Sequence, residues 1–302
     1  MYANSLDEKY ARLREILREL ESVAVAFSAG VDSTLVLKVA IDVLGAEKVV
    51  AVTGRSDSLA LAEFEAACEL ARSVGAEHVV IDTDEFDNPN YTSNPKNRCY
   101  FCKTTLYQHL ARFIRERGLA AIVNGINADD LGDYRPGIEA ASEFGVHCPA
   151  AEAGLTKDDL RELSQRLGLL TFDKPASPCL SSRVPYGDAV TPEKLRMIEK
   201  AEKFLHGLGF RVCRVRHHDA LARIEVPVEE IPRLTDPLTA ARVEAHLRSL
   251  GYKEVEVDPR GFRSGSLNEP IQVNIASANS PSRSNRSAVA KGRKRSVRGR
   301  SR

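Results

Sequence analysis

The architecture of this chain follows from one segment, Ala24-Val-Ala-Phe-Ser-Ala-Gly-Val-Asp-Ser33. The run Val23 to Phe27 is apolar and predicts a buried strand, whereas Thr34 to Ala40 has helical spacing. A tight turn of small residues joins the two. The first turn of a helix presents free N–H groups and the positive end of the helix dipole. With the hydroxyls of Ser28 and Ser33 as additional donors, the segment predicts an anion-binding site.

The spacing of this segment differs from the G-x-x-x-x-G-K-[ST] phosphate loop. It resembles the S-G-G-x-D-S pyrophosphate loop (PP-loop) of ATP pyrophosphatases, which split ATP into AMP and pyrophosphate and activate an oxygen as the adenylate. The resemblance implies ATP as cofactor, bound by Ser28, Ala29, Gly30, Val31, Asp32 and Ser33. Ala29 replaces the usual first glycine. Because a positive φ costs alanine about 1 kcal/mol or more, we expect a negative φ there. The alternative is an ordinary strand–helix junction.

Composition indicates a globular protein of about two domains. Of the 302 residues, 43% are hydrophobic and 28% are charged, which is typical of soluble proteins. No apolar run approaches the ~18 residues of a membrane span, and the N-terminus lacks the pattern of a secretory signal. We therefore expect a cytoplasmic protein with no membrane partner.

Charge is distributed unevenly along the chain. From Pro270 onward there are nine Lys or Arg residues and no acidic residue, so the remainder holds 34 basic and 42 acidic side chains, a net charge of −8. An acidic body argues against nucleic acid as a required partner. The tail, 269–302, is poor in large apolar residues and is predicted to be disordered.

Apolar strands alternate with helical segments in the first half of the chain. The predicted strands are Val23–Phe27, Lys48–Thr53, His78–Asp82 and Ala121–Ile126. This alternation predicts an α/β fold, a parallel sheet with right-handed crossovers and helices on both faces. Ser58 is predicted to cap the helix after the second strand.

The second half of the chain has a different pattern. A helix capped by Thr191 precedes strands at Phe210–Val215, Ala222–Val226 and Lys253–Asp258, which predicts a smaller α+β domain. The expected organisation is a PP-loop domain at 1–170, a cysteine loop at 171–189, the smaller domain at 190–268 and the tail at 269–302.

Polar side chains follow the fourth predicted strand. Asn127, Asp129, Asp130, Asp133 and Arg135 would lie at the carboxyl edge of the sheet, where open parallel sheets bind ligands. Asn127 and Asp130 are predicted to contribute to the ATP site. Carboxylates here could hold Mg²⁺ against ATP phosphates, although the pattern does not select one Asp, and a solvated acidic loop is the alternative.

A loop with three prolines, Phe172 to Gly187, shows neither helical nor strand periodicity, which is typical of functional loops. Its segment Ser177-Pro-Cys-Leu-Ser-Ser-Arg183, together with Ser28–Ser33, Asn97–Lys103 and Asn127–Gly137, resembles the ATP-dependent sacrificial sulfur transferase family LarE. The resemblance spans about residues 5–268 and leaves out the tail.

The resemblance implies a specific chemistry in the assembly of the nickel-pincer nucleotide cofactor of lactate racemase. ATP adenylates a carboxylate of pyridinium-3,5-biscarboxylic acid mononucleotide, and Cys179 attacks the acyl adenylate as a thiolate. Cleavage of the Cβ–S bond then leaves a thiocarboxylate on the substrate and dehydroalanine at position 179. A nearby arginine would favour the thiolate.

Cationic side chains suit a substrate with phosphate and carboxylate groups. The predicted substrate-binding residues are Ser182, Arg183, Arg214 and Arg216. For Arg214 and Arg216 the alternative is a strand with exposed, alternating charges.

Cys99 and Cys102 form a C-x-x-C pair, which by itself fits a metal half-site, a redox pair or chance. Some members of the family carry such a pair and are thought to bind a [4Fe–4S] cluster through three cysteines, leaving one iron open. The hypothesis for this chain is a cluster on Cys99, Cys102 and Cys179, with a sacrificial Cys179 as the alternative.

Three other functions stay open from the sequence. The chain could be a tRNA thiolase, an amidating ligase of the GMP or NAD synthetase kind, or a non-catalytic nucleotide-binding protein whose tail binds polyanions. A small-molecule nucleotide is the expected substrate, and a homo-oligomer the expected assembly.

Overall fold

The computed structural model describes residues 5–132 and 136–263. Its first sheet has four parallel strands in the order β3-β2-β1-β4. The strands and helices up to the cysteine loop are α1 (Leu6–Glu19), β1 (Val23–Ala26), α2 (Val31–Leu44), β2 (Val49–Arg55), α3 (Leu61–Ser73), β3 (Glu77–Asp82), α4 (Pro89–Thr92), α5 (Arg98–Arg117), β4 (Ala121–Val123), α6 (Pro136–Glu143), α7 (Pro149–Glu152) and α8 (Lys157–Arg166).

Helices cover both faces of this sheet, as the sequence predicts. Alternate residues of a strand point to opposite faces. Val23 and Val25 of β1 pack with α1, α2 and α8, whereas Ala24 packs with α5 and α6 on the other face. A central strand such as β1 therefore needs apolar side chains on both sides, which explains its continuous apolar run.

A second, three-stranded sheet follows the cysteine loop. Its elements are α9 (Pro192–Gly207), β5 (Arg214–His218), β6 (Leu221–Glu225), α10 (Ile231–Leu234), α11 (Pro237–Ser249) and β7 (Glu254–Val257). β5 and β6 are antiparallel, and β7 runs parallel to β6. These elements enclose a separate apolar cluster that includes Phe210, Val215 and Leu247. The predicted boundaries between domains stay predictions.

Two helix starts confirm their sequence signals, and one prediction is wrong. Thr191 caps α9 with Pro192 in its first turn. Thr156 caps α8 in a capping box with Asp159. Ser58 does not cap α3, which begins three residues later after Ala60. Its hydroxyl instead donates to the buried carboxylate of Glu85, so a tertiary partner replaces the local one.

Strand ends also differ from the prediction. β4 ends at Val123 rather than Ile126, because the chain turns there into the polar segment that follows. β5 starts at Arg214 rather than Phe210, and Phe210 enters the apolar cluster as a loop residue. Asp133, Arg135 and the predicted tail at 269–302 lie outside the described residues. No helix in the described ranges is both long and apolar enough to cross a membrane.

Candidate active site

The pyrophosphate-loop segment forms the junction between β1 and α2. Gly30 is the N-cap of α2 and has no side chain to bond the first-turn N–H groups, so these groups remain available to an anion. A Cβ at Gly30 would contact only Ser28 Oγ, at 3.5 Å, so the protein leaves room above the turn. Ser28 Oγ and Ser33 Oγ lie 3.1 Å apart at its edge. The segment therefore has the donors and the space for a phosphate group.

The prediction of a negative φ at Ala29 is wrong. Its φ is +55°, in the left-handed region, and the residue is fully buried. The turn from β1 into α2 imposes this conformation, and packing in the core holds it although alanine pays a cost that glycine would not. The carbonyl of Ala29 accepts a hydrogen bond from Lys174 Nζ at 3.1 Å.

We expect Ala29→Gly to change stability little, because relief of the left-handed strain offsets the lost buried methyl and the greater freedom of the unfolded chain. Ala40 supplies the matched control, since it is equally buried in the same core but lies within α2. Ala40→Gly should cost about 2 kcal/mol through helix propensity and lost burial. Chemical denaturation measures both variants, and equal costs at the two positions would contradict strain at Ala29.

Gly125, which the sequence did not indicate as a site residue, lies against the other side of the turn. A Cβ on Gly125, just after β4, would lie 2.6 Å from the backbone nitrogen of Ser33. Only glycine permits this close approach of the β4 end to the first turn of α2.

The polar residues after β4 lie beside the pyrophosphate loop, as predicted. Asn127 Oδ1 accepts from the backbone of Asp129 and Asp130, and Asp130 Oδ2 accepts from the backbone N–H of Asn127. Lys157 joins the two segments, because its Nζ lies 2.6 Å from Asp32 Oδ1 and its backbone N–H donates to Asp129. Asn127 and Asp130 thus shape the turn through local bonds.

The cysteine loop is held by buried arginines. Arg98 comes from α5, Arg183 from the loop itself, and Arg214 and Arg216 from β5. Each bond joins a guanidinium to a main-chain carbonyl: Arg98 to Ser181, Arg214 to Ala176, Arg216 to Ser182, and Arg183 to both Pro178 and Cys179. These bonds fix the backbone on both sides of Cys179 while its side chain stays exposed.

A carboxylate supports the central arginine. Glu202 of α9 binds Arg183 in a two-pronged ion pair, with both N···O distances at 2.9 Å, and also accepts from the backbone N–H of Val215. Arg216 pairs with Glu225 at 2.8 Å. Among the predicted substrate-binding residues, Ser182 accepts a bond from Arg183 at 3.0 Å. The arginines therefore support the loop, and substrate binding by these four residues stays a prediction.

Cys179 lies near enough to Cys99 and Cys102 for its charge to affect both of their thiols. Cys99 and Cys102 lie in the first turns of α5, and both thiols interact electrostatically with Cys179. Desolvation raises the pKa of Cys99, and the charge of Cys179 adds to the shift. Desolvation raises the pKa of Cys102 to about 12, with further contributions from Glu85 and then Cys179.

Lys103 is the cation beside these thiols. Desolvation lowers the pKa of its ammonium, but the charges of Tyr107 and of the three cysteines outweigh this effect and raise the pKa overall. The charge of Lys103 lowers the pKa of Cys99 and of Cys102, but desolvation outweighs it, so both thiols stay protonated at neutral pH unless a metal replaces the proton.

No group of three or more His, Cys, Asp or Glu side chains is arranged around a single ion in the part of the chain that the structure describes. A [4Fe–4S] cluster sets a different requirement, because each cysteine binds a separate iron. The three cysteines are of the right chemical kind for such a cluster, and its binding stays a hypothesis.

The sequence did not indicate four residues that bond to partners far away in the chain. No local motif marks such residues, which are Arg98, Lys157, Lys174 and Glu202. For Gly125, its position directly after a strand and before the polar turn was the available signal.

Known proteins resemble this chain over most of its length. No model of a protein family matches the chain. An uncharacterized protein of Synechocystis sp. is 45% identical over 266 residues, which are 88% of this chain and 99% of that protein. An argininosuccinate synthase of Halobacterium salinarum is 30% identical over 151 residues, which cover 45% of this chain and 37% of the synthase.

The pyridinium-3,5-bisthiocarboxylic acid mononucleotide synthase of Lactiplantibacillus plantarum is 40% identical over 268 residues. The match covers 88% of this chain and 96% of that synthase. The chain therefore belongs to the pyridinium-3,5-bisthiocarboxylic acid mononucleotide synthase family, LarE, and has its PP-loop fold.

Proposed function

We propose that this protein is an ATP-dependent sulfur transferase that converts the carboxylates of pyridinium-3,5-biscarboxylic acid mononucleotide into thiocarboxylates. The observation that carries the proposal is an exposed cysteine, Cys179, on a backbone fixed by buried arginines and tied to the pyrophosphate loop through Lys174. An acyl-activating site and a nucleophile are thus connected by one short segment.

The reaction proceeds in three steps. A substrate carboxylate oxygen attacks the α-phosphorus of Mg²⁺-bound ATP, and pyrophosphate leaves. The Cys179 thiolate then attacks the acyl carbon, and AMP leaves with the electron pair of the broken C–O bond. In the third step a base removes the Cys179 α-proton and the Cβ–S bond breaks. The thiocarboxylate departs, and dehydroalanine remains at position 179.

Activation by ATP is needed because a free carboxylate has no leaving group. The first-turn N–H groups of α2 and the hydroxyls of Ser28 and Ser33 would hold the phosphates during this step. Asp32, Asp129 and Asp130 are the candidate carboxylates for Mg²⁺ beside those phosphates.

The sulfur source has two candidates. A [4Fe–4S] cluster bound by Cys99, Cys102 and Cys179 would supply sulfide at its open iron, so that the protein is not consumed. Without the cluster, Cys179 supplies its own sulfur, and each chain transfers one atom. The convergence of the three thiols supports the first candidate, and the exposure of Cys179 supports the second.

Intact mass spectrometry after turnover separates the two. The protein, purified and reconstituted without oxygen, is incubated with ATP, Mg²⁺ and the biscarboxylate substrate. Loss of about 34 Da, the mass of H₂S expected from elimination at an acylated cysteine, establishes the sacrificial route. Product at unchanged protein mass, together with iron and acid-labile sulfide, establishes the cluster. If the reconstituted protein forms no thiocarboxylate in this incubation, the proposal is wrong.

The remaining expectations belong to this proposal. The substrate is a small-molecule nucleotide, nucleic acid is not required, the assembly is a homo-oligomer and the reaction takes place in the cytoplasm. The net charge of −8 before the tail supports a small-molecule substrate over tRNA.

A further inference from the structure

Lys174 connects three parts of the candidate active site. Its Nζ donates to the carbonyl oxygen of Ala29 in the pyrophosphate loop at 3.1 Å and pairs with Glu63 Oε2 of α3 at 2.7 Å. The side chain is only 21% exposed, and it lies five residues before Cys179. The segment that carries the nucleophile is therefore bonded to the loop expected to hold the phosphates of ATP.

This ammonium has a donor left for a phosphate. A lysine ammonium has three N–H donors, and the bonds above use two of them. It lies at the backbone of the turn whose first N–H groups remain available to an anion. A phosphate there would otherwise face the negative end of the Ala29 carbonyl, which the lysine neutralises.

We propose that Lys174 binds the β- and γ-phosphates of ATP, and so fixes the cysteine segment to the nucleotide until pyrophosphate leaves. The inference rests on the proposed binding of ATP at the pyrophosphate loop. Glu63 holds the ammonium in the absence of nucleotide and competes with the phosphates for it. The α-phosphate and the adenosine lie beyond its role, so AMP binding does not depend on Lys174.

Calorimetric titration of the full-length protein tests this with three ligands in the presence of Mg²⁺: pyrophosphate, α,β-methylene-ATP and AMP. Lys174→Ala should weaken binding of the first two by at least about tenfold, the size expected for a charged hydrogen bond, and leave AMP binding within about twofold. Lys174→Arg keeps the charge and should retain most of the affinity.

Two further variants make the test independent of misfolding. Glu63→Gln frees the ammonium and should tighten binding of pyrophosphate, an effect opposite in sign to any general damage. Lys9→Ala is the matched control, because Lys9 pairs with Asp159 at 2.6 Å with 20% exposure, on α1 and outside the site. It should bind all three ligands as the wild type does.

The outcomes separate the inference from the proposed function. If the wild-type protein binds neither pyrophosphate nor the ATP analogue, ATP use at this loop is wrong. If it binds both and Lys174→Ala binds them equally well, only the role of Lys174 is overturned. Equal loss of AMP and pyrophosphate in Lys174→Ala also overturns it, since that pattern indicates a structural role.

Discussion

Replacing Cys179 with alanine is expected to abolish thiocarboxylate formation while ATP–pyrophosphate exchange driven by the biscarboxylate substrate continues. The nucleophile is needed only after the acyl adenylate has formed, and the first-turn N–H groups of α2 are untouched by the change. Cys179 is exposed, and hydrogen bonds to main-chain carbonyls hold the loop, so the change should leave the loop in place. Radiolabelled pyrophosphate exchange and product mass measure the two steps separately.

Cysteine variants elsewhere serve as controls for this experiment. Cys68→Ala removes a half-buried thiol of α3 and should leave both steps unchanged. Cys99→Ala distinguishes the sulfur sources, since it should abolish transfer under the cluster route and preserve a single turnover under the sacrificial route. Thiocarboxylate made by Cys179→Ala at the wild-type rate would contradict both routes.

The features predictable from sequence are those with local causes. The β1–α2 junction combines an apolar strand, a small-residue turn and a helix start, and each is set by neighbours in the chain. The caps at Thr156 and Thr191 have the same origin. The parallel sheet follows because a helix separates each apolar segment from the next, and such crossover connections join parallel strands.

The features that sequence could not predict depend on distant contacts. Arg214 and Arg216 alternate along β5 as exposed charges would, but their acceptors are carbonyls that lie 38 and 34 residues earlier. Ala29 carries a positive φ because packing overrides its local preference. Only the family resemblance implied the grouping of Cys179 with Cys99 and Cys102, because nothing local in the sequence relates a loop cysteine to the start of α5.

Replacing Glu202 with glutamine is expected to lower the free energy of unfolding by about 3–5 kcal/mol, as measured by chemical denaturation. Arg183 is 2% exposed, so loss of its carboxylate leaves a buried guanidinium without a counter-charge. The matched control is Glu244→Gln in the exposed pair with Arg248 on α11, which should cost less than about 1 kcal/mol. Equal costs for the two variants would show that the buried pair does not support the loop.

A double variant separates the stability of the pair from its function. Arg183→Met with Glu202→Leu replaces both charges with apolar groups of similar volume, and such replacements of buried ion pairs are often neutral or stabilising. We therefore expect unfolding stability to recover in part, because the buried backbone N–H of Val215 still loses its acceptor. Sulfur transfer should stay defective, because the carbonyls of Pro178 and Cys179 lose their donor and the thiol loses its fixed position. Recovery of both properties would assign the pair to folding alone, whereas recovery of stability without activity identifies Arg183 as the residue that positions Cys179.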